Sequence, residues 1–361
     1  MPTDVVMPMH SILSPMQASI KNPPAVTVVI PHLKNRAMLE SCLDSLRMTA
    51  WRDFSVLVVD NGGESSDLSG IENTYPEISV LHLSANAGYA GGCNEGLNRS
   101  LSKFVVFMND DAIVDPGWLG HLVNEAERDP LAGALQPKIL SLKERREGRR
   151  VFDYAGAAGG LIDRLGFPFC LGRTFCGREE DRGQYDGSRE IFWASGVAMF
   201  APRELLVSLG GFDSDFFMHM EEIDLCWRMR LTGHSVRSVP KSVVWHEGGA
   251  SMEEGSPMKV YYNHRNAIAM LLRNRSLAGL LFVLPARLLL EVAAAFYYLT
   301  GGVDGIARAK QVVRAAAGNL YGLGETLRKR RQTQQTRKIC DRKLFRGAPF
   351  SMFFLRRTAQ S

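Results

Sequence analysis

Apolar runs and amphipathic stretches alternate along the first third of the chain. Residues 25–32 (AVTVVIPH), 54–60 (FSVLVVD), 78–83 (ISVLHL) and 104–111 (FVVFMNDD) are apolar at successive positions and end in polar or turn residues. That is the pattern of strands buried on both faces. Between the first two, Met38, Leu39, Cys42, Leu43 and Leu46 recur at helical spacing, and NAGYAGGCNEGLNRSL leads into a further helix. Steady strand–helix alternation predicts right-handed crossovers and a mainly parallel central sheet flanked by helices, an α/β nucleotide-binding layout. Asp60, the Asn86 loop and Asp111 then emerge along the carboxyl edge, where open α/β sheets bind ligands. Two adjacent carboxylates there, Asp110 and Asp111, repel each other unless a cation or donor intervenes. A divalent metal holding a diphosphate meets that need. A simple turn, with Asp115 and Pro116 opening the next helix, accounts for the same residues.

Further on, AGALQPKIL predicts another strand, and KERREGRR a charged turn. The aperiodic segment 151–190 has the length of a loop that covers or shapes a site. IFWASGVAMF predicts a strand broken at Ser195-Gly196, and SVRSVPKSVVWHEGG one ending at His246. Glu221, Glu222 and Asp224 open a helix continued by Leu225, Met229 and Leu231. On it Glu221 and Asp224 share a face, whereas Glu222 points about 100° away. Acids at a helix start favour the macrodipole. A carboxylate desolvated beside Phe216, Phe217 and Trp227 would equally serve as a general base. His246 reads either as a structural residue or as a ligand for Mn2+ or Mg2+. Gly88, Gly91 and Gly92 match neither the dinucleotide GxGxxG nor a P-loop, which argues against a dehydrogenase and a P-loop NTPase.

Composition adds an asymmetry. The chain has 361 residues, 45% hydrophobic, enough for one large domain and an appendage. Its net charge is +5, yet residues 301–361 hold fourteen Lys and Arg against three acids, a balance of +11 that leaves −6 on the first 300 residues. An acidic body argues against nucleic-acid binding, and a basic tail suits an anionic membrane surface. Cys42, Cys93, Cys170, Cys176, Cys226 and Cys340 lack paired spacing and read as reduced thiols of a cytosolic protein, a Cys170–Cys176 bridge requiring an oxidising compartment. Residues 1–24 read as a loose leader without a signal-peptide pattern. In 276–303 the apolar run 277–286 stops at Arg287, and Glu291 interrupts again. A spanning helix needs about 20 apolar residues, so amphipathic helices lying in the interface are expected. A hairpin packed on the domain, or a homo-oligomer contact, is the alternative.

The ordered set VVIPH, VVDNGGESSD, NAGYAGGCNEGL, FMNDD, WASGVAMF, GGFDSDFFMHMEEIDLCWR and VVWHEGGAS resembles the family-two, GT-A-type inverting glycosyltransferases, in the rhamnosyltransferase-like branch. The resemblance covers about 26–266. It implies a catalytic domain over 25–257, with a nucleotide-binding half (25–112) and an acceptor and metal half (113–257), then a helical basic region over 258–361. It implies a hexosyltransferase that uses a nucleotide-diphospho-sugar, dTDP-rhamnose or a UDP-hexose, a divalent cation, and a glycan or polyprenyl-linked glycan acceptor. The setting would be polysaccharide synthesis at the inner face of the cytoplasmic membrane. Pro31, Asp60, Asn86, Gly88, Asn94, Asn109 and Asp110 would line the donor. Asp111 and His246 would hold the metal. Trp193, Ser195, Gly196 and Asp224 would face the acceptor, and Glu222 or Glu221 would be the base. Asn109 stands where the family's Asp-x-Asp has its first carboxylate, Glu222 where an Asp is usual, and His32 follows Pro31 where a small polar residue and then Tyr or Asn are usual. A sugar-phosphate nucleotidyltransferase and an inactive GT-A-like scaffold are the rival readings.

Overall fold

The computed structural model describes residues 22–173, 177–248 and 255–350. Most of the leader, Cys176 and the end of VVWHEGGAS lie outside the described residues. The strands in chain order are β1 (Val26–His32), β2 (Phe54–Asp60), β3 (Ile78–His82), β4 (Phe104–Met108), β5 (Ala112–Val114), β6 (Ala132–Ser141), β7 (Gly160–Ile162), β8 (Pro168–Cys170), β9 (Arg189–Glu190), β10 (Ala198–Pro202) and β11 (Ser235–His246). The helices are α1 (Arg36–Arg47), α2 (Ile71–Thr74), α3 (Gly88–Arg99), α4 (Trp118–Arg128), α5 (Leu142–Arg146), α6 (Arg203–Ser208), α7 (Glu221–Leu231), α8 (Pro257–Asn274), α9 (Leu277–Leu299), α10 (Gly302–Tyr321), α11 (Leu323–Thr336) and α12 (Asp341–Leu344).

One sheet runs in the order β3-β2-β1-β4-β10-β6-β11-β5, with β9 on β11. The parallel arrangement holds for β1 to β4. Beyond them the sheet is mixed, because β10 lies antiparallel between β4 and β6. The loop before it has already brought the chain to the carboxyl edge, where Asn109 N donates to Val197 O at 3.0 Å. From that edge β10 can only run back. It is also shorter than the apolar pattern from Ile191 suggests, since 191–197 lies over the edge as loop.

All of β4 is buried, and each of its large side chains contributes on the order of 2 kcal/mol by leaving water. Leu39, Cys42, Leu43 and Leu46 of α1 with Trp118 and Leu122 of α4 cover one face. Leu97, Phe107, Phe212 and Trp227 fill the other. The carboxyl edge is left for Asp60, Asn109, Asp111, Ser195 and His246.

The C-terminal helices pack back onto this body. Lys338 N and Ile339 N both donate to Leu231 O, the end of α7, at 2.7 and 3.1 Å. Helix α9 is long and apolar enough to cross a membrane by length and composition. The Arg287 and Glu291 that break its sequence pattern face inward: Arg287 Nε lies 2.8 Å from Glu291 Oε1, and Glu291 also meets His264. The outward face is therefore apolar without interruption, with Leu281, Phe282, Leu289 and Phe296 at 70%, 83%, 71% and 66% exposure. The expected interruption by charge does not reach the surface of the helix.

Candidate active site

Register builds the first half of the site. Antiparallel pairing of β5 with β11 sets Ala112 opposite His246, and Glu247 N donates to Asp111 O at 3.2 Å. Asp111 Oδ1 consequently lies 3.2 Å from His246 Nε2, without hydrogen-bond geometry and with no other partner although buried. The second ring nitrogen, Nδ1, is 2.9 Å from Asp153 Oδ2. With the Nδ1 proton directed at Asp153, the Nε2 lone pair and the Asp111 carboxylate face one point. They repel unless a proton or cation occupies it. Burial opposes the imidazolium, but Asp111 and then Asp153 outweigh it and lift the His246 pKa to about 10. Asp111 is lowered, its burial being overcome by His246. The Asn109 amide is 3.3 Å from the same Nε2. These oxygen and nitrogen donors fit Mn2+ or Mg2+ in an open site that leaves positions for diphosphate oxygens. Among the described residues no three His, Cys, Asp or Glu side chains form a closed metal cage.

The second half is the start of α7. Phe217, His219 and Met220 adopt φ of 60°, 66° and 73°, a region that costs a non-glycine residue about 1–3 kcal/mol. Asn266 of α8, fully buried, braces the turn, its Nδ2 lying 3.0, 2.9 and 2.8 Å from the carbonyl oxygens of Phe216, Met218 and His219. Gly88 locks against it from the start of α3. A β-carbon there would lie 2.4 Å from Phe217 O, and φ is +72°, so only glycine fits.

This turn delivers Glu221 and Glu222. Glu221 is buried and Glu222 half-buried, and one carboxylate oxygen of each is buried without a hydrogen bond. Burial first, and then the neighbouring Glu222, push Glu221 well above the carboxylate range. Burial raises Glu222 to about 7 against the pull of the Glu222 and Ile223 amides. Asp224 behaves oppositely. It is 0% exposed and meets Arg228 Nε at 2.7 Å, Arg273 Nη1 at 3.1 Å and Asn274 Nδ2 at 2.6 Å. These contacts tie α7 to α8.

The halves meet at Ser195-Gly196. Tyr89 donates to Gly196 O at 2.7 Å, and its hydroxyl, raised by burial above all, also feels Glu221 and Glu222. Ser195 Oγ donates to Ala155 O at 3.2 Å, and Ala155 N to Asp153 Oδ2 at 2.8 Å. The thiol of Cys170, pushed to about 12 by burial, lies in the fields of both Glu222 and Asp153. Hydrogen bonds thus run from Asp153 to the Ser195-Gly196 segment and Tyr89, and the glutamates lie within electrostatic range of Tyr89 and Cys170.

Other expected residues take more local positions. Trp193 is buried and donates from Nε1 to Leu161 O at 2.8 Å. Ser195 is buried too, its amide on Gln136 Oε1 at 2.9 Å. Asn94 interlocks with the 212–214 loop, donating to Phe212 O and accepting from Phe212 N, both at 2.9 Å. Asp110 lies 2.7 Å from His32 Nδ1, while His32 Nε2 is 2.8 Å from Asp67. Its carboxylate is thereby held by a histidine. Asp60 accepts from Ser66 Oγ at 2.6 Å and Gly62 N at 3.1 Å, with His82 Nδ1 at 2.7 Å. Asn86 is exposed and turns the loop through Gly88 N at 2.8 Å. Pro31 pairs with Val59 at the end of β1. Sequence reading passed over Asp153, Tyr89 and Asn266. Only His32 carried a signal, as a departure from the family pattern.

Comparison with known proteins bears on this geometry. Residues 27–183 match the model of Glycosyl transferase family 2. The chain is 27% identical over 249 residues to the N-acetylglucosaminyl-diphospho-decaprenol L-rhamnosyltransferase of Mycobacterium tuberculosis, covering 64% of this chain and 79% of that protein. It is 28% identical over 246 residues to the pre-mycofactocin glycosyltransferase of the same organism, and spans 46% of that protein's length for 66% of its own. A crystal structure of GalNAc-T7 with UDP, GalNAc and Mn2+ aligns over 70% of this chain and 48% of its own, with a TM-score of 0.55 at 15% identity. That likeness is one of fold.

Proposed function

Since the chain is a family-two glycosyltransferase with a GT-A-like fold, we propose that it transfers a sugar with inversion from a nucleotide-diphospho-sugar to a hydroxyl of a lipid-linked glycan. In this reading the acceptor oxygen attacks the anomeric carbon while Glu222 takes its proton. The bond to the diphosphate breaks on the opposite face, and the nucleoside diphosphate carries away the electron pair. Asp111 and His246 are the residues that would hold Mn2+ or Mg2+, which supplies positive charge to the departing diphosphate. Asp153 keeps the imidazole oriented for that duty.

The observation that carries the proposal is the pair of glutamates on the strained tip of α7, each with a buried carboxylate oxygen that has no hydrogen bond, within electrostatic range of the Tyr89 that bonds Gly196. Of the two, Glu222 is the better base, being half-exposed with a pKa of about 7, near working pH. The decaprenol-linked substrate named for the mycobacterial relative supports a lipid-linked acceptor in cell-surface polysaccharide synthesis. The unbroken apolar face of α9 supports peripheral attachment at the cytoplasmic face of the membrane.

The test is to incubate the protein with dTDP-rhamnose and UDP-hexoses, with and without Mn2+, in the presence of a polyprenyl-linked acceptor. Sugar transfer with release of nucleoside diphosphate is expected. Pyrophosphate release would point to nucleotidyl transfer, and absence of donor binding to an inactive scaffold.

A further inference from the structure

Away from the catalytic cleft, a cavity of about 890 Å³ is lined by Arg164, Arg275, Arg342, Lys343 and Arg346, with Asp341 the acid among them. It lies where the end of α8, the β7–β8 turn and α12 meet. Arg342, Lys343 and Arg346 are exposed, and by themselves would be an ordinary solvated cluster. Arg275 is not ordinary. It is only 7% exposed and its guanidinium stacks on Phe345, with Cζ 3.8 Å from the ring centre. Its Nε and Nη1 are buried without a hydrogen-bond acceptor. The nearest acid, Asp341, stands 3.4 Å from Nε and is drawn elsewhere, to Ser276 Oγ at 2.6 Å and Arg337 Nη1 at 2.8 Å. Burial above all disfavours the Arg275 charge; Asp341 opposes that, and Arg337 and Arg164 add repulsion.

A buried guanidinium with two N–H groups lacking hydrogen-bond acceptors and a carboxylate shared with other donors is costly, and a fork of N–H donors matches the oxygens of a phosphate. The surroundings indicate where such a group comes from. Leu277, two residues beyond Arg275, is 68% exposed and begins the apolar stripe of α9. A cationic cavity at the end of an apolar stripe has the polarity sequence of a lipid, headgroup first and chains beyond. We propose that this cavity binds a phosphate group, supplied by the headgroup of an anionic lipid in the surface on which α9 rests; the choice of source rests on the membrane placement proposed above.

The full chain would be sedimented with vesicles of phosphatidylcholine alone or mixed with phosphatidylglycerol. The variant Arg342→Gln/Lys343→Gln/Arg346→Gln removes three exposed charges from the cavity. The control Lys310→Gln/Arg314→Gln/Arg331→Gln removes three exposed charges elsewhere in the C-terminal helices. We expect the cavity variant to lose about tenfold or more in binding to phosphatidylglycerol vesicles, and the control less than about threefold. Arg275→Gln should lose about tenfold with its far-ultraviolet circular dichroism unchanged. Equal losses in cavity variant and control would overturn the site in favour of diffuse attraction. In a parallel arm, inorganic phosphate that stabilises the wild type but not the cavity variant to heat, without vesicle preference, would keep the pocket and overturn the lipid source. No response in either arm would overturn both. None of these readouts requires sugar transfer, so a failed transfer assay with intact vesicle selectivity would count against the catalytic proposal alone.

Discussion

The sheet rim and the tip of α7 both bury carboxylates, with opposite outcomes. At the rim, Asp60 and Asp67 are engaged by histidines, a hydroxyl or backbone amides, and their pKa values fall even though burial alone would raise them. At the tip, Glu221 and Glu222 share the same loss of water without a cationic partner, and theirs rise. Asp224, within one turn of them, has two arginines and an asparagine and is lowered like the rim acids. Pairing thus separates these acids, with Asp110 the exception: burial outweighs its contact with His32 and raises it.

The sharpest way to break that contrast is Glu222→Gln. Turnover should fall by about 10²–10⁴-fold, while the KM for donor stays within about twofold, measured as initial rates over a donor titration. An equal loss in Glu221→Gln would make the two acids one unit. Asp224→Asn attacks the paired side instead. Leaving Arg228 buried without its counterion, while Arg273 keeps Asp213 at 2.8 Å, should cost about 3 kcal/mol in denaturant unfolding, an effect the glutamate variants should not share. At the rim, Asp153→Asn should weaken Mn2+ binding by about 10–100-fold, read by calorimetry, since His246 loses the group that orients it.

The smallest effect is on stability against pH. Glu222 titrates near 7 in the folded protein and near 4.5 when unfolded, so between those values the folded state holds the extra proton. Its contribution is fully present below the unfolded value and is lost as pH rises through about 7. Asp224, lowered on folding, contributes above its unfolded value near 3.8 and loses it as pH falls. Urea unfolding at pH 5 and pH 8 should therefore show wild type losing on the order of 1 kcal/mol more than Glu222→Gln on going to the higher pH. Activity runs the other way: kcat/KM should climb through about pH 7 as the base ionises.

The strands and the acids at their ends were legible because their signals are local. A buried strand must be apolar at every position, and FVVFM leads directly into Asn109 and Asp111. Glu221 and Glu222 were visible as candidates, but the sequence could not separate them from Asp224. What distinguishes them is the company of Arg273 and Asn274, about 50 residues downstream. Asp153 was hidden in an aperiodic segment, where nothing in composition announces that a carboxylate will face His246. The left-handed turn at Phe217, His219 and Met220 was invisible for a related reason. Residues that avoid such geometry carry no mark of adopting it, and the Asn266 that makes it tolerable sits on another helix. The inward turn of Arg287 and Glu291 likewise depends on His264 of α8, outside any window of α9.

The fit of Gly88 beneath Phe217 makes two loops far apart in sequence a single mechanical part. An engineer who grafts a foreign loop at 86–92 to change which nucleotide is accepted would, by adding one methyl group at position 88, drive against the carbonyl of Phe217 and tilt the segment that presents Glu222. Chimeras in this scaffold should therefore work when 86–92 and 216–222 are exchanged together, and fail when either travels alone.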